Sequence, residues 1–178
     1  DFDGAVGSGG GTELDDILIV SAGNVTADST IEATSLVQTA GTGTTTLDGT
    51  VTATGAGGIN IAADTIVVNA GMNTTAGAVT FNAGDTLTMT ANGDVNATGG
   101  AVNFTAANGI TTAGDVTTAG TTVDYNSATT QNGAVVIDTT NGVAAGANVT
   151  FAGAVFGGED LTIDGGTGGA VLFANDFV

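Results

Sequence analysis

The sequence predicts an all-β fold, a right-handed parallel β-helix (β-solenoid) with about 22 residues and three short strands per coil. Three observations predict it: a recurring apolar phrase, period-2 alternation inside each copy, and turn-forming dipeptides between the copies. The phrase is an aliphatic residue, one polar or small residue, then an aromatic or aliphatic one. Its copies are Ile59-Asn60-Ile61, Val79-Thr80-Phe81, Val102-Asn103-Phe104, Val123-Asp124-Tyr125, Val149-Thr150-Phe151 and Val171-Leu172-Phe173, spaced 20, 23, 21, 26 and 22 residues apart. A recurrence of that length marks stacked repeats, and alternation marks a strand with one wet face.

The first side of each coil is that phrase. A second side follows at Ile66-Val67-Val68, Leu87-Thr88-Met89, Ile110-Thr111-Thr112, Val135-Val136-Ile137 and Leu161-Thr162-Ile163. A third, built on smaller residues, follows at Met72-Asn73-Thr74, Val95-Asn96-Ala97, Val116-Thr117-Thr118 and Val143-Ala144-Ala145. Between sides stand Asn92-Gly93-Asp94, Asn108-Gly109, Ala113-Gly114-Asp115, Asn132-Gly133 and Asn141-Gly142, residue types suited to tight corners. Asn-Gly pairs also close hairpins, so an antiparallel meander is the rival fold. Hairpins alone impose no recurrence on the first strand, which favours the solenoid.

Upstream, Leu36-Val37-Gln38, Thr45-Thr46-Leu47 and Val51-Thr52-Ala53 fit one earlier coil, and Ile17-Leu18-Ile19 with Val25-Thr26-Ala27 fit another. Residues 1–13, with Gly7-Ser8-Gly9-Gly10-Gly11, read as a Gly-rich linker, and residues 14–178 as the solenoid domain. The apolar run near Val178 reads as a strand interrupted within a coil, as expected of an internal piece of a longer chain.

Composition narrows the function classes. The 178 residues contain no Lys, Arg, His, Pro, Cys or Trp, and 18 Asp and Glu give a net charge of −18. With no cationic side chain to pair with, each carboxylate must face water, a backbone N–H or a bound cation. Nucleic acid is not an expected partner, because neutralising phosphate needs Lys or Arg. No apolar run is long enough for a membrane-spanning helix, so no membrane insertion is expected.

The string LVQTAGTGTTTLDGTVTATGAGGINI at residues 36–61 resembles repeats of very large secreted bacterial exoproteins and adhesins of the filamentous-haemagglutinin-like kind. GITTAGDVTTAG at 109–120 and NVTFAGAVFGGEDLTIDGGTGGAVLF at 148–173 resemble the same units. The resemblance implies a parallel β-helix, an extracellular or bacterial cell-surface location, and work as a stalk, adhesin or matrix fibre. It carries over no catalytic residue. The chain departs from typical members in having neither Lys nor Arg, which tells against a simple heparin-binding adhesin.

Candidate sites are few. Asp64, Asp85, Asn108, Gly133 and Glu159 each stand two residues before an expected second strand, and Asp94, Asp115 and Gly142 before an expected third. Stacked in register, such carboxylates would lie about 5 Å apart, a spacing suited to the oxygen-only coordination of Ca²⁺. Asp64, Asp85, Asp94, Asp115 and Glu159 are therefore the candidate metal ligands, and the alternative is that acids and amides simply form corners. No cofactor is expected to be required beyond such a Ca²⁺.

The Thr-x-Thr triplets at Thr52 and Thr88 lie 36 residues apart and do not stack in successive coils, which argues against an ice-binding ladder. Asn-x-Thr triplets at Asn24, Asn73, Asn96, Asn103 and Asn148 are candidate glycan sites, and surface glycans a candidate partner. An enzyme is not expected: the adjacent acids Asp15-Asp16 and Glu159-Asp160 would point to opposite faces of a strand. The expected role is structural, a segment of a cell-surface fibre or adhesin that associates head to tail through open strand edges. The alternatives are a passive stalk for a binding domain elsewhere, or a Ca²⁺- or glycan-binding module.

Overall fold

Alternation decides which residues face inward. In Val79–Ala83, Val79, Phe81 and Ala83 are buried while Thr80 and Asn82 face outward, and Val95–Ala97 and Ile110–Thr112 repeat the pattern. An isolated strand of this kind has nowhere to bury its apolar face, so it stacks on the equivalent strand of the next coil. The computed structural model describes residues 1–7 and 13–175, and these form a parallel β-solenoid of about 8 coils, about 21 residues per turn, with no helix.

Each coil visits three sides in turn. Side one carries Leu14–Ile19, the second halves of Ile31–Gln38 and Val51–Ala63, then Val79–Ala83, Val102–Ala106, Val123–Tyr125, Val149–Phe151 and Val171–Phe173. Side two is a 7-stranded sheet: Val25–Ala27, Thr44–Leu47, Thr65–Val68, Leu87–Met89, Ile110–Thr112, Thr129–Gln131 and Val155–Phe156. Side three carries the first halves of the two long strands, then Met72–Thr74, Val95–Ala97, Val116–Thr118, Val135–Asp138 and Leu161–Asp164. Sides one and three belong to a single 13-stranded sheet, because Ile31–Gln38 and Val51–Ala63 run through the corner between them. Every strand pairing is parallel, which excludes the meander.

The interior is a set of vertical ladders. Ring centroids step from Phe81 to Phe104 at 5.5 Å, to Tyr125 at 5.1 Å, to Phe151 at 4.8 Å and to Phe173 at 5.1 Å. Beside them rise Val51, Met72, Val95, Val116 and Ile137, all buried. Burying each such side chain contributes about 1.5–3 kcal/mol, enough to hold coils together without a disulfide. Where the ladder turns polar, the hydroxyl is used locally: buried Thr74 and Thr118 each donate at 2.6 Å to a carbonyl three residues on, that of Gly77 and of Thr121.

The last two coils differ from the sequence expectation by one side. Val135-Val136-Ile137, expected on side two, lies on side three, where Ile137 pairs with Val116, and side two is instead Thr129–Gln131. Leu161–Asp164 is likewise on side three, and Val155–Phe156 supplies side two. Val143-Ala144-Ala145 forms no strand and is exposed in a corner loop. The physical reason is that Thr129 and Gln131 fill inward positions with polar side chains, so an apolar pattern passes over them. The 26-residue coil spacing arises in the same region, from extra residues in the corner loop between Asp138 and Val149.

The expected 1–13 linker is partly drawn into the stack. Phe2 N–H donates to Thr26 O and Val6 N–H to Thr30 O, both at 2.8 Å, so these residues lie beneath sides two and three of the next coil. Residues 8–12 of that expected linker lie outside the described residues.

Candidate functional site: the corner columns and the interior at Tyr125

Corners bring side chains of successive coils together, and they are where the acidic residues gather. Asp64, Asp85 and Asn108 stack between sides one and two: Asp85 N–H donates to Asp64 O at 2.7 Å, and Asn108 N–H to Asp85 O at 2.8 Å. The Asn108 amide also donates to Asp85 Oδ1 at 2.7 Å. Gly133 and Glu159 do not continue this column. They precede side-three strands, so both sit at the following corner, and the residue above Asn108 is replaced by Ser127, whose Oγ accepts from Ala106 N–H at 2.9 Å.

Asp94 and Asp115 stack between sides two and three, as expected. Asp94 Oδ1 accepts from Asp115 N–H at 2.9 Å, and Asp115 Oδ1 from Val136 N–H at 2.7 Å. Each carboxylate therefore ties its own coil to the next. Gly142, expected as the next member, lies in the exposed corner loop, and Val136 holds the position opposite Asp115.

Three other acidic contacts are invisible to residue spacing alone. Asp48 Oδ1 accepts from the Asn69 amide at 2.6 Å, Asp16 Oδ1 from Ser35 Oγ at 2.7 Å, and both Glu13 oxygens from Thr54 Oγ1 at 3.1 Å. All three are cross-coil bonds. Among the described residues no three carboxylates converge as a metal-holding group. The arrangement joins coil to coil through acceptors that face backbone and amide donors.

One interior polar group stands apart. Tyr125 is the ring of the ladder that carries a hydroxyl, and among the described residues its Oη is the one buried side-chain polar atom with no hydrogen-bond partner. Tyr125 lines a narrow space together with Thr112, Thr129, Gln131 and Val155, and that space has no room for a water molecule. Burial pushes its phenol well above the ordinary range, and the negative Asp115 pushes it further. Tyr125→Phe is expected to raise the unfolding free energy by about 1–3 kcal/mol, the penalty of an unsatisfied buried hydroxyl. The sign with pH follows from linkage: the unfolded phenol ionises near pH 10 while the folded one does not, so the wild-type chain loses stability above about pH 10. Chemical denaturation at pH 7 and pH 11 checks both parts; equal stability of the two proteins at both pH values would refute them.

Comparison with models of protein families, with curated proteins and with solved structures gave no match to this chain.

Proposed function

We propose that this chain is a structural rod, a repeat segment of an extracellular bacterial surface fibre or adhesin whose units stack end to end into filaments. The observation that carries the reading is the in-register ladder itself. Its aromatic and aliphatic rungs and its cross-coil carboxylate bonds all act to join one coil to the next. The extracellular and bacterial part of the reading rests on the resemblance of segments 36–61, 109–120 and 148–173 to secreted β-strand repeats.

Filament growth has a simple physical basis in this architecture. Among the described residues the last strands of the three sides are Val155–Phe156, Leu161–Asp164 and Val171–Phe173, and a strand placed against them would continue the same parallel ladders. Such a contact is heterologous, joining one end to the other, and it extends without closing. Eight coils at about 4.8 Å each make a unit about 40 Å long. Electron microscopy of the purified chain is expected to show rods many times that length. Dispersed single units would overturn end-to-end assembly and favour a passive stalk that presents a binding domain elsewhere.

A further inference from the structure

One chemically reactive pair recurs in this chain in four different settings. Asn92-Gly93, Asn108-Gly109, Asn132-Gly133 and Asn141-Gly142 are its four Asn-Gly pairs. No side chain shields the nitrogen of the glycine in such a pair, so that nitrogen can reach the side-chain carbonyl carbon of the asparagine before it. Ring closure then needs a glycine N–H that is not otherwise engaged, an untethered asparagine amide, and room for the chain to turn.

Two of the pairs are locked. Gly93 N–H donates to Thr90 O at 2.8 Å, and Gly93 is buried where a Cβ would overlap the backbone oxygen of Val68. Gly109 N–H donates to Ala106 O at 3.3 Å, and the Asn108 amide is held by Asp85 Oδ1 at 2.7 Å. The third pair is free but cramped. Asn132–Ala134 is a short link between strands Thr129–Gln131 and Val135–Asp138, with Asn132 N–H pinned to Thr112 O at 3.0 Å and Val135 N–H to Asp160 O at 2.9 Å. A Cβ on Gly133 would press on that of Ala113.

Asn141-Gly142 meets all three conditions. It lies in the long corner loop between Asp138 and Val149, where residues 141–145 are all exposed. Nothing lies within 4 Å of a Cβ built on Gly142. Among the described residues neither the Gly142 N–H nor the Asn141 side-chain amide takes a hydrogen-bond partner. The bonds around the pair, Val143 N–H to Thr140 O and Thr140 Oγ1 to Asp138 Oδ1, both at 2.6 Å, anchor the loop without engaging either reacting group.

We propose that Asn141 is a site of self-modification, converted without an enzyme to isoaspartate and aspartate. The Gly142 nitrogen attacks Asn141 Cγ, and the new N–C bond forms as the Cγ–Nδ2 bond breaks. The N–H proton passes through water to the departing nitrogen, and ammonia leaves a succinimide ring behind. Water then opens that ring. Addition at the main-chain carbonyl carbon leaves the chain running through Cγ, which is isoaspartate, and addition at Cγ gives aspartate. One water enters and one ammonia departs, with no oxidant or reductant. The net charge moves from −18 to −19, and the isoaspartyl product lengthens the main chain in a loop that already carries the extra residues of its coil.

The test is to hold the folded chain in mildly alkaline buffer and then map it by peptic digestion in acid and tandem mass spectrometry, since trypsin has no Lys or Arg at which to cut. Conversion at Asn141 is expected to run more than about tenfold ahead of that at Asn92 and Asn108, where ring closure waits on local opening, with Asn132 between. In urea the four pairs are expected to react at similar rates, which shows that the fold sets the order. Asn141→Gln, checked for folding by circular dichroism, is expected to remove the early ammonia release. An Asn141 that stays intact in the folded chain while it reacts in urea overturns the proposal, as does conversion at Asn92 or Asn108 that keeps pace with Asn141 in the folded chain.

Discussion

Phe104→Ala is expected to lower the unfolding free energy by about 3–5 kcal/mol, a large share of what a domain of this size holds. Phe104 is fully buried, and its ring lies between Phe81 at 5.5 Å and Tyr125 at 5.1 Å. Truncation removes the transfer free energy of the ring, opens a void between two coils, and ends both aromatic contacts, each of which contributes about 0.5–1.5 kcal/mol beyond area burial. In a stack where each coil touches its neighbours alone, nothing from a distant element can move in to fill the gap. The neighbouring Asn103→Ala changes an outward side chain and is expected to stay within about 0.5 kcal/mol. Urea unfolding of the two variants beside wild type measures the difference. A loss at Phe104 no larger than that at Asn103 would mean that the aromatic column does not bear the stability of the rod.

That column was also the part of the fold most legible in the sequence, for the same reason. Large rings at one inward position per coil leave a signal that survives variation in coil length. Side two is harder to read because its inward positions include Thr45, Thr112, Thr129 and Gln131, all buried and all polar. Where Thr129–Gln131 replaces an aliphatic strand, the next apolar triplet, Val135-Val136-Ile137, is taken in its place, and the later side-two assignments slip by one side while Val149–Phe151 and Val171–Phe173 stay on side one.

The candidate site follows the same logic. Asp94 and Asp115 were legible as a corner column because each stands one residue before a well-marked strand, Val95–Ala97 and Val116–Thr118. Glu159 was misplaced with the strand it was counted from. The Asp48–Asn69 bond depends on which residues of different coils become neighbours, and coil spacings between 20 and 26 residues hide that from any fixed-period search. Fixing side one first and then assigning sides two and three by turn residues brings Asp48 and Asn69 to the same corner.

Gly77→Ala tests the other condition for stacking, that backbones can touch at the corners. Gly58, Gly77 and Gly100 lie in successive coils between sides three and one, with no side chain separating them. A Cβ on Gly77 would overlap the Gly58 backbone, and one on Gly100 would overlap that of Gly77 and Ala78. Backbone cannot rotate away as a side-chain tip can, so the added methyl must push two coils apart and stretch the ladder bonds on both flanking sides. Overpacking of this kind costs about 1–3 kcal/mol and occasionally more. Gly58→Ala adds a second penalty, because its φ of 60° lies in the left-handed region, which costs a residue with a side chain about 1–3 kcal/mol. Gly23→Ala is the control, since a Cβ there meets nothing within 4 Å. Thermal melts should place Gly58→Ala lowest, Gly77→Ala above it, and Gly23→Ala beside wild type. Should all three melt together, the corner glycines are not what permits the close approach of successive coils.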